Sequence, residues 1–327
     1  GASETTNDGF KTSVSYMKPN DELCRGGGPT CCRTNTCTQS DCCAVGRTSC
    51  CATTYDQYWN ADNVAGYSSR GYSLQRGSAT YARIKPDLVS IGSNVVSAHS
   101  DGVIGTTVQC AEPATSTQTW PANAALQSMS GTSMATPLLA GAAALVRQYF
   151  TDGFYPTGAK VNANTFTPSG ALVKAVLVTG AITLTGGTTL TNGDFASLPT
   201  TAPNIYLGFG RPALDQVLKL PGGWNSLYVD DYAGSGGLTT GQTQSYTFSG
   251  VTSTLAEPFT IALVWTDPPG STTARNVLVN DLDLVVTVAG TQTFPNGRTS
   301  RDSVNNVERV RLLNLNAATV SVTVPAN

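Results

Sequence analysis

The chain has 327 residues, 40% of them hydrophobic and 12% charged, with a net charge of −2 at pH 7. That length suits one large domain or two ordinary ones, and the charged share is roughly half of what soluble proteins usually carry. Near-neutrality gives no attraction for nucleic acid or an anionic membrane, and the most apolar stretch, Pro137–Val146, falls well short of the ~20 residues of a membrane span.

The chain opens on Gly1 rather than Met and shows no charged, apolar leader. It is therefore expected to be processed, engineered, or a piece of a longer polypeptide. Eight of the nine cysteines lie at 24–51, in the pattern Cys-x6-Cys-Cys-x4-Cys-x4-Cys-Cys-x6-Cys-Cys. Almost no aliphatic residue accompanies them, so disulfides are expected to staple this segment as an insertion in a surface loop. A metal cluster is the alternative. It is disfavoured because the segment has no histidine and adjacent Cys-Cys pairs chelate one tetrahedral Zn²⁺ awkwardly. Eight cysteines allow about a hundred pairings, and spacing does not choose among them. Such density points to a secreted protein or another oxidising compartment. Cys110 stands alone, as a free thiol or the partner of a residue elsewhere. No Asn-x-Ser/Thr acceptor occurs, so N-glycosylation is not expected.

Two polar-apolar segments follow, Ala65-Gly-Tyr-Ser-Ser-Arg-Gly71 and Ala82-Arg-Ile-Lys-Pro-Asp-Leu-Val-Ser-Ile-Gly92. Arg70 and Asp87 within them read as structural charges. Val95–Ala98 reads as a strand. His99, the sole histidine, offers one arrangement in which it serves Ser133 as base with Asp101 or Asp87 as orienter. The preferred reading is a surface imidazole. Residues 102–125, rich in Thr, Ser and Ala with Pro113 and Pro121, read as a loop.

The central stretch is Gln127-Ser-Met-Ser-Gly-Thr-Ser-Met-Ala-Thr-Pro137, running into Leu138-Leu-Ala-Gly-Ala-Ala-Ala-Leu-Val-Arg147. A small polar loop meets a long apolar helix with Ser133 at the joint. The first N–H groups of a helix have no partner inside it, and its dipole there favours negative charge. A serine in that place has its developing oxyanion met by backbone N–H groups. Gly131 permits close approach of backbone and substrate. Pro137 is expected near the helix start, where a missing N–H does least harm. A plain helix cap is the other role for such a serine. Pro168–Val178 reads as a second buried helix. Pro221-Gly-Gly223 marks a boundary. Beyond it, β-rich runs at Gln244–Phe248, Phe259–Trp265, Leu282–Val288, Val307–Leu315 and Val320–Val324 read as a β-sandwich or jelly roll. Asp267, Asp281, Asp283 and Glu308 are candidate ligands for structural Ca²⁺, which takes several oxygens. Capping turns and bonding backbone amides is the alternative role for these acids.

Gly131-Thr-Ser-Met-Ala-Thr-Pro137 resembles the nucleophile motif of the subtilisin-like serine proteases, the subtilases. Four further segments resemble family runs in the same order: 65–71, 82–92, Leu172-Val-Lys-Ala-Val-Leu177, and Gly208-Phe-Gly-Arg-Pro-Ala-Leu-Asp-Gln-Val-Leu218. Ser90-Ile91-Gly92 departs from the family's Ala-Pro-Gly. Leu263–Pro268, Leu278–Leu284 and Asn305–Glu308 resemble the C-terminal β-barrel of the KP-43-like branch, whose members carry Ca²⁺ in or near that domain. The resemblance implies an α/β fold. A subtilisin-like parallel sheet with flanking helices spans 1–222 as a partial domain, with the Cys-rich insertion at 24–51, and an all-β sandwich or jelly roll spans 223–327. It implies Ser133 as nucleophile, Gly131, Thr132 and Met134 as its substrate and oxyanion neighbourhood, and protein or peptide substrates. No cofactor is required for the chemistry.

The family's Asp, His and oxyanion Asn belong to motifs upstream of a Gly-Ala-Ser strand, and none of those motifs occurs here. In subtilisin itself, loss of the histidine alone costs about 10⁶ in turnover. The chain by itself is therefore expected to be inactive, its partner being the N-terminal portion of the same protease. A non-catalytic structural or binding module that keeps the fold is the alternative function.

Overall fold

The computed structural model describes residues 2–4, 62–75, 78–98, 126–189, 195–223, 225–232 and 236–327. The Cys-rich segment, His99, the loop at 102–125 and Cys110 lie outside these residues. The first region holds strands β1 (Ala2–Glu4), β2 (Asn63–Val64), β3 (Tyr72–Gln75), β4 (Ser78–Ile84), β5 (Ser90–Ile91), β6 (Val95–Ala98) and β7 (Leu126–Met129). Helices α1 (Thr132–Thr151) and α2 (Gly170–Thr179) follow, then β8 (Ala181–Ile182), β9 (Gly187–Thr189), β10 (Phe195–Ser197) and β11 (Arg211–Pro212). The region is mixed α/β with few helices and several small sheets.

Its largest described sheet runs β10-β9-β2-β1-β5. Only the β1–β5 and β2–β9 pairings are parallel, so the sheet is mixed where a parallel one was expected. A parallel neighbour needs a crossover connection, and the one from β2 to β9 runs through both α1 and α2. β6 and β7 form a separate antiparallel ladder, Val95 opposite Met129, which brings the start of α1 beside the end of β5.

Helix α1 buries Ala135, Val146, Tyr149 and Phe150, with Leu139, Ala142 and Ala143 half-covered beside them. These positions recur every three to four residues and form one stripe. Phe150 is fully buried and its ring meets Phe166 at 5.0 Å, Tyr149 at 5.2 Å and Tyr155 at 5.7 Å. Across the stripe lies α2, whose Leu172, Val176, Leu177 and Val178 enter the same core. Ser169 caps α2 by accepting from the Leu172 N–H at 3.0 Å, and it is held in turn by Asp231. Gly208 and Gly210 are required by close approach. Both have positive φ, and a Cβ on either would come within 2.0 to 2.1 Å of the Pro86 or Ile182 carbonyl oxygen.

After residue 223 come β12 (Thr243–Val251), β13 (Phe259–Val264), β14 (Val285–Val288), β15 (Thr291–Thr293), β16 (Val307–Leu312) and β17 (Ala318–Pro325). They form two antiparallel sheets, β12-β17-β14-β15 and β13-β16. Between the sheets lie Leu284, Val286, Val310, Val320 and Val322, joined by Tyr246, Phe248, Ile261 and Leu263. Side chains alternate along a strand. Val310 of β16 and Ile261 and Leu263 of β13 therefore face this core, while Val307, Ala262 and Val264 face the helical core of Val146, Phe150 and Val176. The β13–β16 ladder is a wall packed on both sides, half-buried along β13 and buried over Val307–Val310 of β16.

Replacing Phe150 by alanine removes the ring on which three others pack. It is expected to cost about 3–5 kcal/mol, read as a lowered midpoint in urea denaturation.

Candidate active site and buried acid cluster

Gly131 precedes α1 in an extended conformation with no side-chain cap, and its N–H donates to the Gly92 carbonyl at 2.7 Å. Met134 and Ala135 donate back to the Gly131 carbonyl. Among the described residues no acceptor takes the N–H of Thr132 or Ser133. These are the orphan donors of a helix N-terminus, where the dipole favours developing negative charge. The Ser133 side chain is exposed. Pro137 sits in the second turn of α1 rather than at its start. Its missing N–H is the one that would bond the Ser133 carbonyl. Met134 is half-buried, its sulfur near Gly131. Asn94, beside Gly92, donates from its backbone to the Ser130 hydroxyl at 2.8 Å, and Tyr67 donates to the Gly92 carbonyl at 2.7 Å. The departing Ser90-Ile91-Gly92 run thus supports the Ser130–Gly131 loop directly.

Asp87 is a structural acid. Burial would raise its carboxyl, but Lys85 at 2.8 Å and Lys174 at 3.2 Å hold it below its usual value. Arg70 donates to Thr188 at 3.1 Å and lies over the Tyr206 ring. Between α1 and α2 opens a groove of about 440 Å³, with Leu139, Ala140, Ala143 and Val173 on its walls and the Asp87–Lys174 pair at one end. On the other side of α1, Leu138 is 43% and Leu145 56% exposed. Gly141 and Ala144 lie between them, also exposed. An apolar helix face next to the serine therefore has no cover among the described residues.

The four acids of the C-terminal region separate into two groups. Asp267 is committed, since its oxygens accept from the Val279 and Asn280 N–H groups, both at 2.9 Å, and pair with Arg83 at 3.3 Å. Asp281 and Asp283 precede β14, and both lie within electrostatic reach of Glu308 on β16. Asp281 Oδ1, Asp283 Oδ1 and Glu308 Oε1 are buried with no hydrogen-bond partner. The other Glu308 oxygen accepts from the Leu284 N–H at 2.6 Å, and Asp283 Oδ2 accepts from Asn327 at 2.5 Å and faces Arg301 at 3.5 Å. Burial, assisted by Asp302, Asp283 and Asp281, pushes the Glu308 carboxyl up to about 10. Asp281 is raised by burial and then by Asp283, and Asp283 by burial. Asp302 was not singled out in the sequence. It is fully buried and saturated by Asn296, Asn305 and Arg298. Among the described residues no group of three or more Asp, Glu, His or Cys side chains is arranged to hold a metal ion, so a cation here would require these acids to draw together. The orphaned oxygens nonetheless suit a hard cation better than they suit one another.

The sequence profile of the Subtilase family matches residues 24–210. The Dictyostelium discoideum protein named serine protease/ABC transporter B family protein tagD is 33% identical over an alignment of 293 residues that covers 78% of this chain and 15% of that protein. Its relative tagB is 31% identical over 305 residues, covering 79% of this chain and 15% of that protein. The chain thus spans about a seventh of the length of these relatives. A serine protease of Aeromonas sobria of known crystal structure covers 62% of this chain and 39% of its own at 16% identity, with a TM-score of 0.20. No described helix is long and apolar enough to cross a membrane.

Because the Glu308 pKa is raised on folding, its contribution to stability is complete below about pH 4.5 and is lost as pH climbs toward about 10. With a chelator present, wild-type stability is expected to fall between pH 5 and 9 more steeply than that of Glu308→Gln. The difference in slope should approach about 1.4 kcal/mol per pH unit in urea titrations.

Proposed function

The chain belongs to the subtilase family, and on that premise we propose that it is the nucleophile-bearing, C-terminal portion of a subtilisin-like serine endopeptidase. The observation that carries the reading is Ser133. It is exposed within Gly-Thr-Ser-Met-Ala-Thr-Pro, at a helix N-terminus whose first N–H groups have no described acceptor. In the working enzyme Ser133 Oγ attacks the scissile carbonyl and loses its proton to a histidine base, which an aspartate orients. The oxyanion that forms lies within reach of the helix-terminal N–H groups, Gly131, Thr132 and Met134 being the neighbouring residues. The intermediate then collapses: the C–N bond breaks, the histidine returns its proton to the departing amine, and water hydrolyses the remaining acyl-enzyme to release the acid and free Ser133. Histidine, aspartate and the oxyanion asparagine come from an upstream portion of the protease. The Leu138 and Leu145 face of α1, which has no cover among the described residues, is where that portion packs, since apolar surface is stabilising only when covered.

The curated relatives are named as serine proteases joined to ABC transporters. This chain corresponds in the same way to the protease part of a longer polypeptide, secreted or otherwise placed in an oxidising compartment. There the cysteines at 24–51 form disulfides. Residues 223–327 are its jelly-roll-type domain of the KP-43-like branch, a reading supported by two antiparallel sheets around one core. That domain carries a structural Ca²⁺. Asp281, Asp283 and Glu308 would hold it, and it would supply the positive charge that their orphaned oxygens lack.

A fluorophosphonate probe tests the nucleophile. Labelling of Ser133 is expected in the intact protein, and its absence from both the intact protein and this chain overturns the reading. Efficient labelling of this chain alone would instead show that no upstream portion is needed. For the cation, chelation is expected to lower the melting temperature in differential scanning fluorimetry, and an unchanged value removes the Ca²⁺ site.

A further inference from the structure

Arg309 of β16 carries a positive charge into the boundary between the two cores. It is 5% exposed, and among the described residues no carboxylate forms an ion pair with it. Its Nη1 donates to three main-chain carbonyls, those of Phe209 at 3.0 Å, Val178 at 3.2 Å and Ala181 at 3.4 Å. The guanidinium also lies over the Phe209 ring, 5.1 Å from its centre. Burial, with a smaller effect of Arg311, lowers its pKa to about 10, so it stays charged at neutral pH. Val178 is in the last turn of α2, where the helix dipole presents negative charge. The buried cation is thus compensated by carbonyl dipoles and an aromatic face rather than by a carboxylate, and its three acceptors come from two stretches of chain, 178–181 and 209.

One of those segments leads back to the serine. Phe209 donates its N–H to the Asp87 carbonyl at 2.8 Å, and Gly210 accepts from the Val89 N–H at 3.0 Å. From Val89 the chain passes through β5 to Gly92, whose carbonyl receives the Gly131 N–H at 2.7 Å. Asn94 adds the bond to Ser130. Ser133 lies two residues beyond Gly131. Each link is a main-chain or short polar bond, so slack at Phe209 passes along a continuous backbone path.

We propose that Arg309 is a positioning residue. By gripping the Phe209 carbonyl it fixes the 87–92 segment, and through it the Ser130–Gly131 loop that presents Ser133. The C-terminal β region then takes part in setting the site, although none of its described residues forms a hydrogen bond or ion pair with Ser133. The catalytic consequence rests on the reading of Ser133 as nucleophile. The structural link does not.

The test is hydrogen exchange by mass spectrometry on the full-length protein, comparing wild type with Arg309→Met and Arg309→Lys well below their melting temperatures. In Arg309→Met, amides in 87–92 and 126–134 are expected to exchange about tenfold faster, as for the loss of one net hydrogen bond, while β12 and β17 keep wild-type protection. Arg309→Lys keeps the charge with fewer directed donors and should restore part of the protection. If the methionine variant does not fold, the lysine variant carries the test through a smaller acceleration at the same peptides. Faster exchange confined to 178–181 and 209, with 126–134 unchanged, overturns the proposal. Fluorophosphonate labelling of the same proteins separates the two readings. A roughly tenfold slower labelling of Arg309→Met at unchanged probe affinity extends the link to Ser133. Wild type that never labels removes the nucleophile reading and leaves the exchange result to decide the role of Arg309.

Discussion

The packing between the helical core and the β-sheet core depends on the β13–β16 ladder being packed on both of its faces. Leu263, Val310 and Leu312 point into the β-sheet core, and Val264 and Val307 point into the helical core. A two-stranded ladder is marginal in water by itself. Here each face supplies apolar burial to a different neighbour, so the ladder, α2 and the four-stranded sheet become mutually dependent. The chain crosses from one region to the other near residue 223, yet the helical core is closed by side chains from beyond that point.

That arrangement forces the polar groups of the wall to find partners inside the protein. Arg309 and Glu308 are neighbours in sequence and, on a strand, point to opposite faces. Arg309 emerges toward the end of α2 and meets carbonyls. Glu308 emerges toward Asp281 and Asp283 and meets like charge. One buried ionisable group is therefore satisfied and the other is not, although both lie within a single residue step of the same strand. The contrast explains why Arg309 tightens the junction between the regions, whereas Glu308 is left with one buried oxygen that has no hydrogen-bond donor.

The serine end of the molecule follows from a different constraint. A helix N-terminus leaves N–H groups unpaired, and here no side chain caps them. The loop before the helix is fixed instead from behind, by Gly92, Tyr67 and Asn94. Among the described residues nothing accepts from the N–H groups of Thr132 and Ser133 at the front of the helix terminus. On the outer side of the same helix Leu138 and Leu145 remain exposed, and that is the face proposed for the upstream portion.

Much of the site was legible in the sequence because it is local. Seven consecutive residues from Gly131 to Pro137 specify a polar loop, a helix start and a serine at the joint, whatever surrounds them. The strand at 95–98, the second helix and the β-rich region after 223 follow from short-range periodicity in the same way, while the family follows from the resemblance of Gly131–Pro137 and its companion segments. The mixed pairing of the first sheet, the second-turn position of Pro137 and the commitment of Asp267 to the Val279–Asn280 turn were not legible, because each depends on register or on partners set by the whole fold. Arg309 is the clearest case. In sequence it is one charge in an alternating strand. Its role arises only because three carbonyls, 131, 128 and 100 residues away, converge on it. Local chain chemistry determined the serine and its helix, while burial, which no short stretch encodes, decided which charges are held, which are orphaned and which face of α1 has no cover among the described residues.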